Sequence, residues 1–298
     1  MKAKQVIWYY SLRDRWRKWL NFFMISCLFL LSLMAAVPFL FIIYYVFDKG
    51  VSAINWNFFT QLPKPPGEEG GGMANALIGS AVVVGMASIV GIPWGMGMGV
   101  YLSEYKSTKT AKILRFVIDL LISAPSIVVG IFIYGLIVIR YGFSSYAGAA
   151  ALLLIMLPIV ARGTEEILKM IPNHIREAGL ALGIPRWKVI IRILIPSILS
   201  MCVTVIMLAI ARIAGETAPL LFTSLGNQYH IRNLNEPIAT LPVQIYEFSN
   251  TGFEQMEKQA WAGAMVLVFF VFFINFFTRL FLFFCKKDRV KLQYKMRK

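Results

Sequence analysis

Charged residues are scarce in this chain. Asp, Glu, Lys and Arg make up 15% of its 298 residues, and 58% of the residues are hydrophobic. A soluble domain carries about a quarter charged residues and is about half apolar. The mean hydropathy of +0.67 points the same way. The composition therefore excludes an ordinary soluble domain and predicts a polytopic membrane protein.

Cysteine is rare as well, and a nucleotide-binding loop is missing from the sequence. Cys27, Cys202 and Cys285 have no metal-site spacing. Cys27 and Cys202 lie inside apolar runs, so we expect free thiols, no disulfide and no metal site. The sequence contains no G-x4-G-K-[ST] loop, and it contains no Gly-Lys dipeptide. We therefore expect this chain not to hydrolyse ATP through that motif.

Six long apolar runs divide the chain. About 20 helical residues cross the core of a bilayer. The first run, residues 20–47, contains no charged residue and is longer than the apolar core of a cleavable signal peptide, so we interpret it as an uncleaved span. The fold class predicted from these runs is an all-α membrane protein with six transmembrane helices. They cover residues 22–47, 74–102, 113–139, 143–161, 190–213 and 260–284.

The basic residues fall on alternate connections. Of 30 Lys and Arg residues, 24 lie on one side of the predicted membrane and 6 on the other. Basic residues stay on the cytoplasmic side, so both termini are predicted to be cytoplasmic. Topology thus explains the net charge of +15, and we expect no nucleic-acid partner. The predicted divisions are a cytoplasmic tail at 1–21, a first transmembrane helix at 22–47, a core domain at 70–284 and a basic cytoplasmic tail at 285–298.

Two local patterns bear on packing. The second span carries Gly91, Gly95 and Gly99 on one helical face, which lets a neighbouring helix approach closely. Tight packing alone explains this face, and a position beside a transport pathway is the alternative. Near the last span, we predict extended chain over residues 234–246, followed by a surface helix over residues 253–258.

The connection after the fourth span contains a short amphipathic helix at residues 174–182. Asn173 is its predicted N-cap, Gly183 the left-handed residue beyond its end, and Pro185 the start of the next helix. A helix this short is unstable alone, so its apolar stripe needs a partner. The bend at residues 183–185 suits a lever that acts on the fifth span. The stripe consists of Ile175, Ala178, Gly179 and Leu182.

This connection resembles the EAA loop of ATP-binding-cassette (ABC) importer permeases, whose pattern is E-A-A-x3-G-x9-I-x-L-P. The matching positions are Glu177, Ala178, Gly179, Gly183, Ile193, Ile195 and Pro196. The chain departs from the pattern by Gly179 for the third alanine and by Ile195 for leucine. Five further segments resemble the A-type permease subunits (PstA) of bacterial phosphate importers, between about residues 70 and 275. They are GGGMANALIGSAVVV, GVYLSEY, SAPSIVVGIFIY, ARIAGETAPLLFT and TLPVQIYEF.

The resemblance implies the type I ABC importer permease fold, a place in the bacterial inner membrane, and a permease subunit of an ATP-driven phosphate importer. It implies a homologous PstC-like permease subunit, two PstB-like subunits that bind ATP and Mg, and a PstS-like periplasmic phosphate-binding protein. Membrane lipid is a further partner. No cofactor and no enzyme activity are expected in this chain itself. Coupling to the ATPase subunits is expected at Ile175, Glu177, Ala178, Gly179, Leu182 and Gly183.

Few charges lie at membrane depth. Arg212, near the outer end of the fifth span, suits an oxyanion, and Glu216 can pair with it while the pathway is empty. Ser123 and Ser126, on either side of Pro125, can donate hydrogen bonds to the anion. The structural alternatives are that Arg212 snorkels to the headgroups, that Glu216 is only its structural partner, and that the serines bond their own backbone.

Two more expectations concern the third and fifth spans. Asp119 lies four residues after Arg115 on the same helical face, and we predict that the two form an ion pair. Gly215 and Pro219 predict a helix break at Glu216. Residues 220–222 then fold back as a hydrophobic gate.

Other function classes compete with the phosphate importer. A secondary transporter or channel driven by an ion gradient usually needs acidic residues or histidine inside its spans, and Asp119 alone fits that requirement. A permease for another oxyanion, or the paralogous second permease subunit, fits the same architecture.

Overall fold

The computed structural model describes residues 2–68 and 70–296, with side chains at 13–68, 70–280 and 282. Within these residues every regular element is helical, which confirms the predicted all-α class. The chain divides into two compact units, Met1–Lys49 and Gly50–Lys298.

The first unit is a single helix, α1 (Lys2–Gly50), whose last residue already belongs to the second unit. Large apolar side chains are exposed on all sides of it, as in a helix that faces lipid. The predicted first span, residues 22–47, lies inside α1.

The second unit is a bundle of long helices joined by short ones. A 3₁₀ turn, Val51–Ala53, opens it, and π turns at Tyr134–Val138 and Ile190–Leu194 join α5 to α6 and α9 to α10. The helices are α2 (Trp56–Thr60), α3 (Ala74–Glu104), α4 (Lys109–Ser123), α5 (Ser126–Ile133), α6 (Ile139–Tyr141), α7 (Ser145–Lys169), α8 (Asn173–Ala181), α9 (Arg186–Val189), α10 (Ile195–Ala214), α11 (Ala218–Leu221), α12 (Leu241–Ser249) and α13 (Glu254–Met296).

Five of the predicted spans correspond to continuous helical segments. These segments are long and apolar enough to cross a membrane, and they run over Arg13–Ala53, Ala74–Glu104, Ser145–Lys169, Arg186–Ala214 and Glu254–Leu280. The predicted basic tail at 285–298 continues α13 as far as Met296. The side chains of that tail, and residues 297 and 298, lie outside the described part.

The third predicted span is bent rather than straight. It consists of α4 and α5, which meet at an angle of 106°. Pro125 causes the break, because it has no amide hydrogen to donate and it disfavours a helical conformation at the residue before it. Ala124 accordingly has extended dihedral angles, with ψ at 131°. The predicted third span at 113–139 is therefore a sharply bent helix pair, which can form either one broken span or a re-entrant loop.

Helices α3 and α7 form the closest packed pair in the bundle. A Cβ atom at Gly99 would lie 2.5 Å from the Ala161 carbonyl oxygen, and one at Gly95 would lie 2.8 Å from Val160. Gly91 faces Met156 on the same side. The prediction that these glycines let a neighbouring helix approach is confirmed, and α7 is that neighbour.

The main core lies between α3, α7, α10 and α11. It is apolar throughout, and each element contributes a buried row of side chains. Its fully buried members include Val83, Ala87, Leu152, Met156, Val160, Ala209, Ile213 and Leu220. A second core, around Phe58, Met73 and Phe248, packs α2 and α12 against the start of α3 and of α13.

The segment before the last span differs from the prediction. Residues 241–249 form α12, where extended chain was predicted. Pro242 sits in the first turn of this helix, where its missing amide hydrogen costs nothing. Before this helix, Thr240 has extended dihedral angles, and the Ala239 carbonyl lies directly against Gly79 of α3. The predicted surface helix at 253–258 is the beginning of α13.

The α3–α7 contact can be tested with two glycines on the same helix. Leucine at Gly99 collides with α7, whereas nothing lies within 4 Å of a Cβ atom at Gly97. Overpacking costs about 1–3 kcal/mol, so Gly99→Leu should lower the free energy of unfolding by about 2 kcal/mol or more. Gly97→Leu gains the same helix propensity as Gly99→Leu, and it should not lower the free energy of unfolding. Thermal unfolding of the solubilised chain, followed by size-exclusion chromatography, measures both. Equal midpoints would contradict the packing argument.

Candidate functional site

The short helix of the fourth connection is α8, Asn173–Ala181, one residue earlier than predicted. Pro172 occupies the N-cap position with extended dihedral angles, and Asn173 is the first helical residue. The predicted N-cap was therefore wrong by one position. The Asn173 side-chain oxygen instead accepts a hydrogen bond from Arg176 at 3.4 Å.

The turn after α8 agrees with the prediction at its glycine. Gly183 has φ of +75°, which favours glycine, and its amide donates to the Leu180 carbonyl oxygen at 2.9 Å. The Ile184 amide donates to the Gly179 carbonyl oxygen at 3.2 Å, so the turn is closed by two backbone hydrogen bonds. Pro185 precedes α9 as its N-cap residue. It therefore lies one residue before the first turn in which it was expected.

The residues predicted for ATPase coupling differ in burial. Gly179 is buried, and a Cβ atom there would lie 2.9 Å from Val189 of α9. This contact explains why glycine replaces the third alanine of the family pattern. The remaining residues of the set are exposed, and Leu182 shows 79% of its surface. The exposed ones are Ile175, Glu177, Ala178, Leu182 and Gly183.

Arg176 attaches α8 to the bundle. Its Nε donates to Glu104 Oε1 at 3.0 Å, and Glu104 is the last residue of α3. Its Nη2 and Nη1 donate to the carbonyl oxygens of Leu168 and Ile171, both at 2.8 Å. Arg186 approaches the same carboxylate at 3.9 Å. The sequence analysis did not identify Glu104 or Arg176 as site residues.

A second buried carboxylate, Glu165 of α7, collects three cations. Its Oε1 lies 2.8 Å from Arg115 Nη2 and 2.6 Å from Lys169 Nζ, and its Oε2 lies 3.0 Å from Arg162 Nη1. Its side chain is fully buried, so this charge depends on its partners. Arg115 thereby links α4 to α7.

The predicted ion pair between Arg115 and Asp119 was wrong. Arg115 turns to Glu165, and Asp119 faces Arg162 at 3.7 Å. Half of the Asp119 side chain is exposed, so water solvates its charge, whereas buried Glu165 requires a cation. Glu165 was missed because the fourth span was predicted to end at residue 161, although α7 continues to Lys169.

Arg212 and Glu216 flank the end of α10. Arg212 Nε lies 3.7 Å from Glu216 Oε1, and the two side chains are 60% and 15% exposed. α10 ends at Ala214 and α11 begins at Ala218, which confirms the predicted helix break.

The depth of Arg212 in the bundle follows from the contacts of α10 with α7. On α10, Val205 contacts Gly163 of α7, and Leu220 beyond the break faces Gly148. Arg212 is seven residues past Val205, about 10 Å along the helix, while Gly163 and Gly148 are about 22 Å apart along α7. The arginine therefore lies near half the length of α7. Arg212 thus lies close to the end of the fifth span, as predicted, and that helix ends at about half the length of α7.

The two serines lie at the bend between α4 and α5. The Ser123 hydroxyl donates to the Asp119 carbonyl oxygen at 2.7 Å, as in the alternative of backbone bonding. Ser126 begins α5, and its hydroxyl makes no hydrogen bond among the described residues. Leu220, predicted as part of a gate, is only 2% exposed and belongs to the main core. Among the side chains that the structure describes, no group of three His, Cys, Asp or Glu could hold a metal ion.

A family of transport proteins matches this arrangement. The model of the family described as binding-protein-dependent transport system inner membrane component matches residues 91–285. The chain belongs to this family. It is 44% identical over 273 residues to the phosphate transport system permease protein PstA of Haemophilus influenzae, covering 91% of this chain and 96% of that protein. It is 46% identical over 235 residues to the PstA protein of Xylella fastidiosa (strain 9a5c), covering 78% and 82%.

Solved ABC importer structures share the fold. A chain of the MetNI methionine ABC transporter, in an inward-facing conformation, superposes with a TM-score of 0.57 at 18% identity, covering 70% of this chain and 92% of that one. A chain of a bacterial alginate ABC transporter superposes with a TM-score of 0.62 at 14% identity, covering 89% and 94%. At these identities the likeness shows the fold alone, and the fold is that of type I ABC importer permeases.

In this permease the two buried carboxylates were the main site residues that the sequence analysis missed. Glu104 and Glu165 each lie at or near the end of an apolar run, where a charge ordinarily indicates a loop. Their partners Arg176 and Arg115 are 72 and 50 residues away in the sequence.

Removing the charge of Glu165 should be strongly destabilising, because it leaves its cations unpaired. Glu165→Gln leaves Arg115, Arg162 and Lys169 facing a neutral amide. Breaking a buried pair costs about 3–5 kcal/mol, and we expect about 2–3 kcal/mol here because all three cations are partly exposed. The control is Glu166→Gln, at a neighbouring side chain that is 66% exposed, and it should change little. Unfolding midpoints of the two solubilised variants provide the measurement. A stable Glu165→Gln protein would refute the assignment.

Proposed function

We propose that this permease imports phosphate as the transmembrane subunit of an ATP-driven transporter and forms half of the translocation pathway. The observation that carries the proposal is the 44% identity, over 91% of the chain, to a protein named as a phosphate transport system permease. The position of Arg212 near half the length of α7 supplies a cationic contact at the depth that a translocated anion must pass.

The Arg212–Glu216 pair suits transient anion binding. Guanidinium stays charged and can hold two phosphate oxygens in a fork, whereas the contact to Glu216 at 3.7 Å uses one nitrogen. The exposed fraction of 60% leaves the arginine accessible to an incoming anion. Phosphate can therefore displace Glu216 from Arg212, and Glu216 can displace phosphate again. The Arg212–Glu216 pair therefore binds phosphate transiently rather than tightly. Ser126 can add a hydroxyl donor.

Orientation follows from charge. We propose that the protein lies in the bacterial inner membrane with both termini and α8 on the cytoplasmic side, because the connections on that side carry 24 of the 30 basic residues. The loops before α3 and before α12 then face the periplasm, where a PstS-like binding protein can deliver phosphate.

The exposed face of α8 is the proposed contact for the ATPase subunits. Ile175, Ala178 and Leu182 form an apolar surface that the chain itself leaves uncovered, and Glu177 lies beside it. Two PstB-like subunits would bind ATP and Mg, and a PstC-like subunit would complete the pathway. This chain would carry no cofactor of its own.

Arg212→Gln tests the anion contact. Removing the only guanidinium that we place in the pathway should reduce phosphate uptake at least about tenfold, equivalent to about 1.4 kcal/mol, while the transporter still assembles. Arg140→Gln is the control, since it removes an exposed arginine at the end of α6. Uptake of radiolabelled phosphate into proteoliposomes that contain the whole transporter measures both. Uptake at the wild-type rate by Arg212→Gln would end the arginine proposal.

Glu177→Lys tests the docking face. Reversing this charge next to the apolar surface should detach the ATPase subunits or uncouple their hydrolysis from uptake. Co-purification of the ATPase subunits and phosphate-dependent ATP hydrolysis are the readouts, with Glu166→Lys as the matched reversal on α7. An intact and coupled Glu177→Lys complex would count against docking at α8. Uptake by this chain without any ATPase subunit would instead favour the ion-driven class.

A further inference from the structure

We propose that Arg176, with Glu104, is the joint that carries movement of α8 to the ends of α3 and α7. Arg176 is a positioning residue for coupling, and this inference rests on the proposed function of α8 as the contact for an ATPase. The ATPase would displace α8 through its exposed face. Arg176, on the opposite side of α8, would transmit this displacement to the ends of α3 and α7.

The guanidinium of Arg176 bonds two other helices at once. Its Nε holds the Glu104 carboxylate at 3.0 Å, at the end of α3. Nη1 and Nη2 hold two carbonyl oxygens, those of Ile171 and Leu168, at the end of α7. Each of the three nitrogens thus has its own partner, and the bonds are charge-assisted and directional. Displacement of α8 must either break all three contacts or move both helix ends.

Burial makes this joint stiff. The side chains of Glu104 and Arg176 are 3% and 14% exposed, so water can replace neither partner cheaply. Carbonyls in the last turn of a helix have no partner within that helix and favour a cation. Arg176 supplies that cation at the end of α7. Glu104 lies at a helix C-terminus, where an acid is unfavourable, and it therefore depends on its arginines.

Glu104 also connects α3 to the helix that follows the bend. Arg186 of α9 approaches the Glu104 carboxylate at 3.9 Å and donates to the Glu104 carbonyl oxygen at 2.9 Å. Its guanidinium also lies over the Tyr105 ring, 5.0 Å from the centroid. A single residue at the end of α3 therefore bonds the elements before and after Gly183. Glu104, at the end of α3, therefore restrains rotation of α8 about that turn.

Packing alone does not connect α8 to α3 and α7 in this way. Gly179, the buried residue of α8, contacts Val189 and Ile193, both of which lie after the bend. The side-chain hydrogen bonds that the described residues show from α8 to α3 and α7 all come from Arg176. Loss of Arg176 would thus leave α8 packed against the segment leading into α10, without a side-chain hydrogen bond to α3 or α7.

The test uses the complete transporter in proteoliposomes. Arg176→Gln and Glu104→Gln should leave the ATPase subunits bound and ATP hydrolysis running. The phosphate transported per ATP hydrolysed should fall by about tenfold, within the range of coupling energies between sites. Lys188→Gln removes a basic residue from the same connection and should leave this ratio unchanged. The double variant Glu104→Gln/Arg176→Gln should be no worse than either single variant, because the buried pair is then removed as a whole and Arg186, which is 54% exposed, stays solvated.

Hydrogen exchange gives a readout that does not depend on phosphate. In the same complex, Arg176→Gln should speed amide exchange in residues 173–181 by about tenfold, with residues 150–160 unchanged, because local opening follows the loss of local bonds. Arg176→Lys retains the charge but not the forked guanidinium. Its exchange rate should therefore lie between those of Arg176→Gln and the wild type. A wild-type complex that does not import phosphate would refute the proposed function, and the exchange result would still test the joint.

Two outcomes would refute the proposal that Arg176 and Glu104 form this joint. One is a normal ratio of phosphate to ATP, with normal exchange, in both single variants. The other is loss of complex, hydrolysis and uptake together while exchange in α8 stays normal, which would give the pair a folding role only.

Discussion

The close approach of α3 and α7 is the constraint on which the rest of the bundle depends. Gly91, Gly95 and Gly99 bring the two backbones together along three turns. Because these helices run side by side, their ends arrive at the same level, and Glu104 comes to lie beside Leu168 and Ile171. A wider separation would leave Arg176 unable to reach both ends at once.

The buried charges then gather where α3, α4, α7 and α8 meet. Two carboxylates, Glu104 and Glu165, are each held by arginines from a different helix. Ion pairs of this kind contribute little net stability, since desolvation offsets much of their attraction. Their geometry is specific, however, and an arginine fork fixes direction as well as distance. At the end of the bundle nearest α8, these ion pairs therefore fix the orientation of the helices more specifically than apolar contacts would.

Local pattern was enough to predict much of this molecule. Apolar runs predicted the spans, the spacing of Gly91, Gly95 and Gly99 predicted a close neighbour, and Gly183 predicted the turn after α8. The bend at Pro125 was missed because an apolar run of suitable length looks the same whether its helix is straight or broken. Pairs such as Glu104 with Arg176 were missed because nothing local in the sequence links residues that far apart.

The break after Ala214 has a consequence for water. A helix that ends leaves its last carbonyls without partners, and here the amides of Gly215 and Glu216 reach only those of Arg212 and Ile213. This end lies at half the height of the bundle, where irregular backbone is tolerated beside protein or a wet cavity. The carbonyls left over at this level therefore need donors from neighbouring protein or from water. Water that supplied them would also hydrate the exposed Arg212, and an anion that reached the guanidinium would shed only part of its hydration shell.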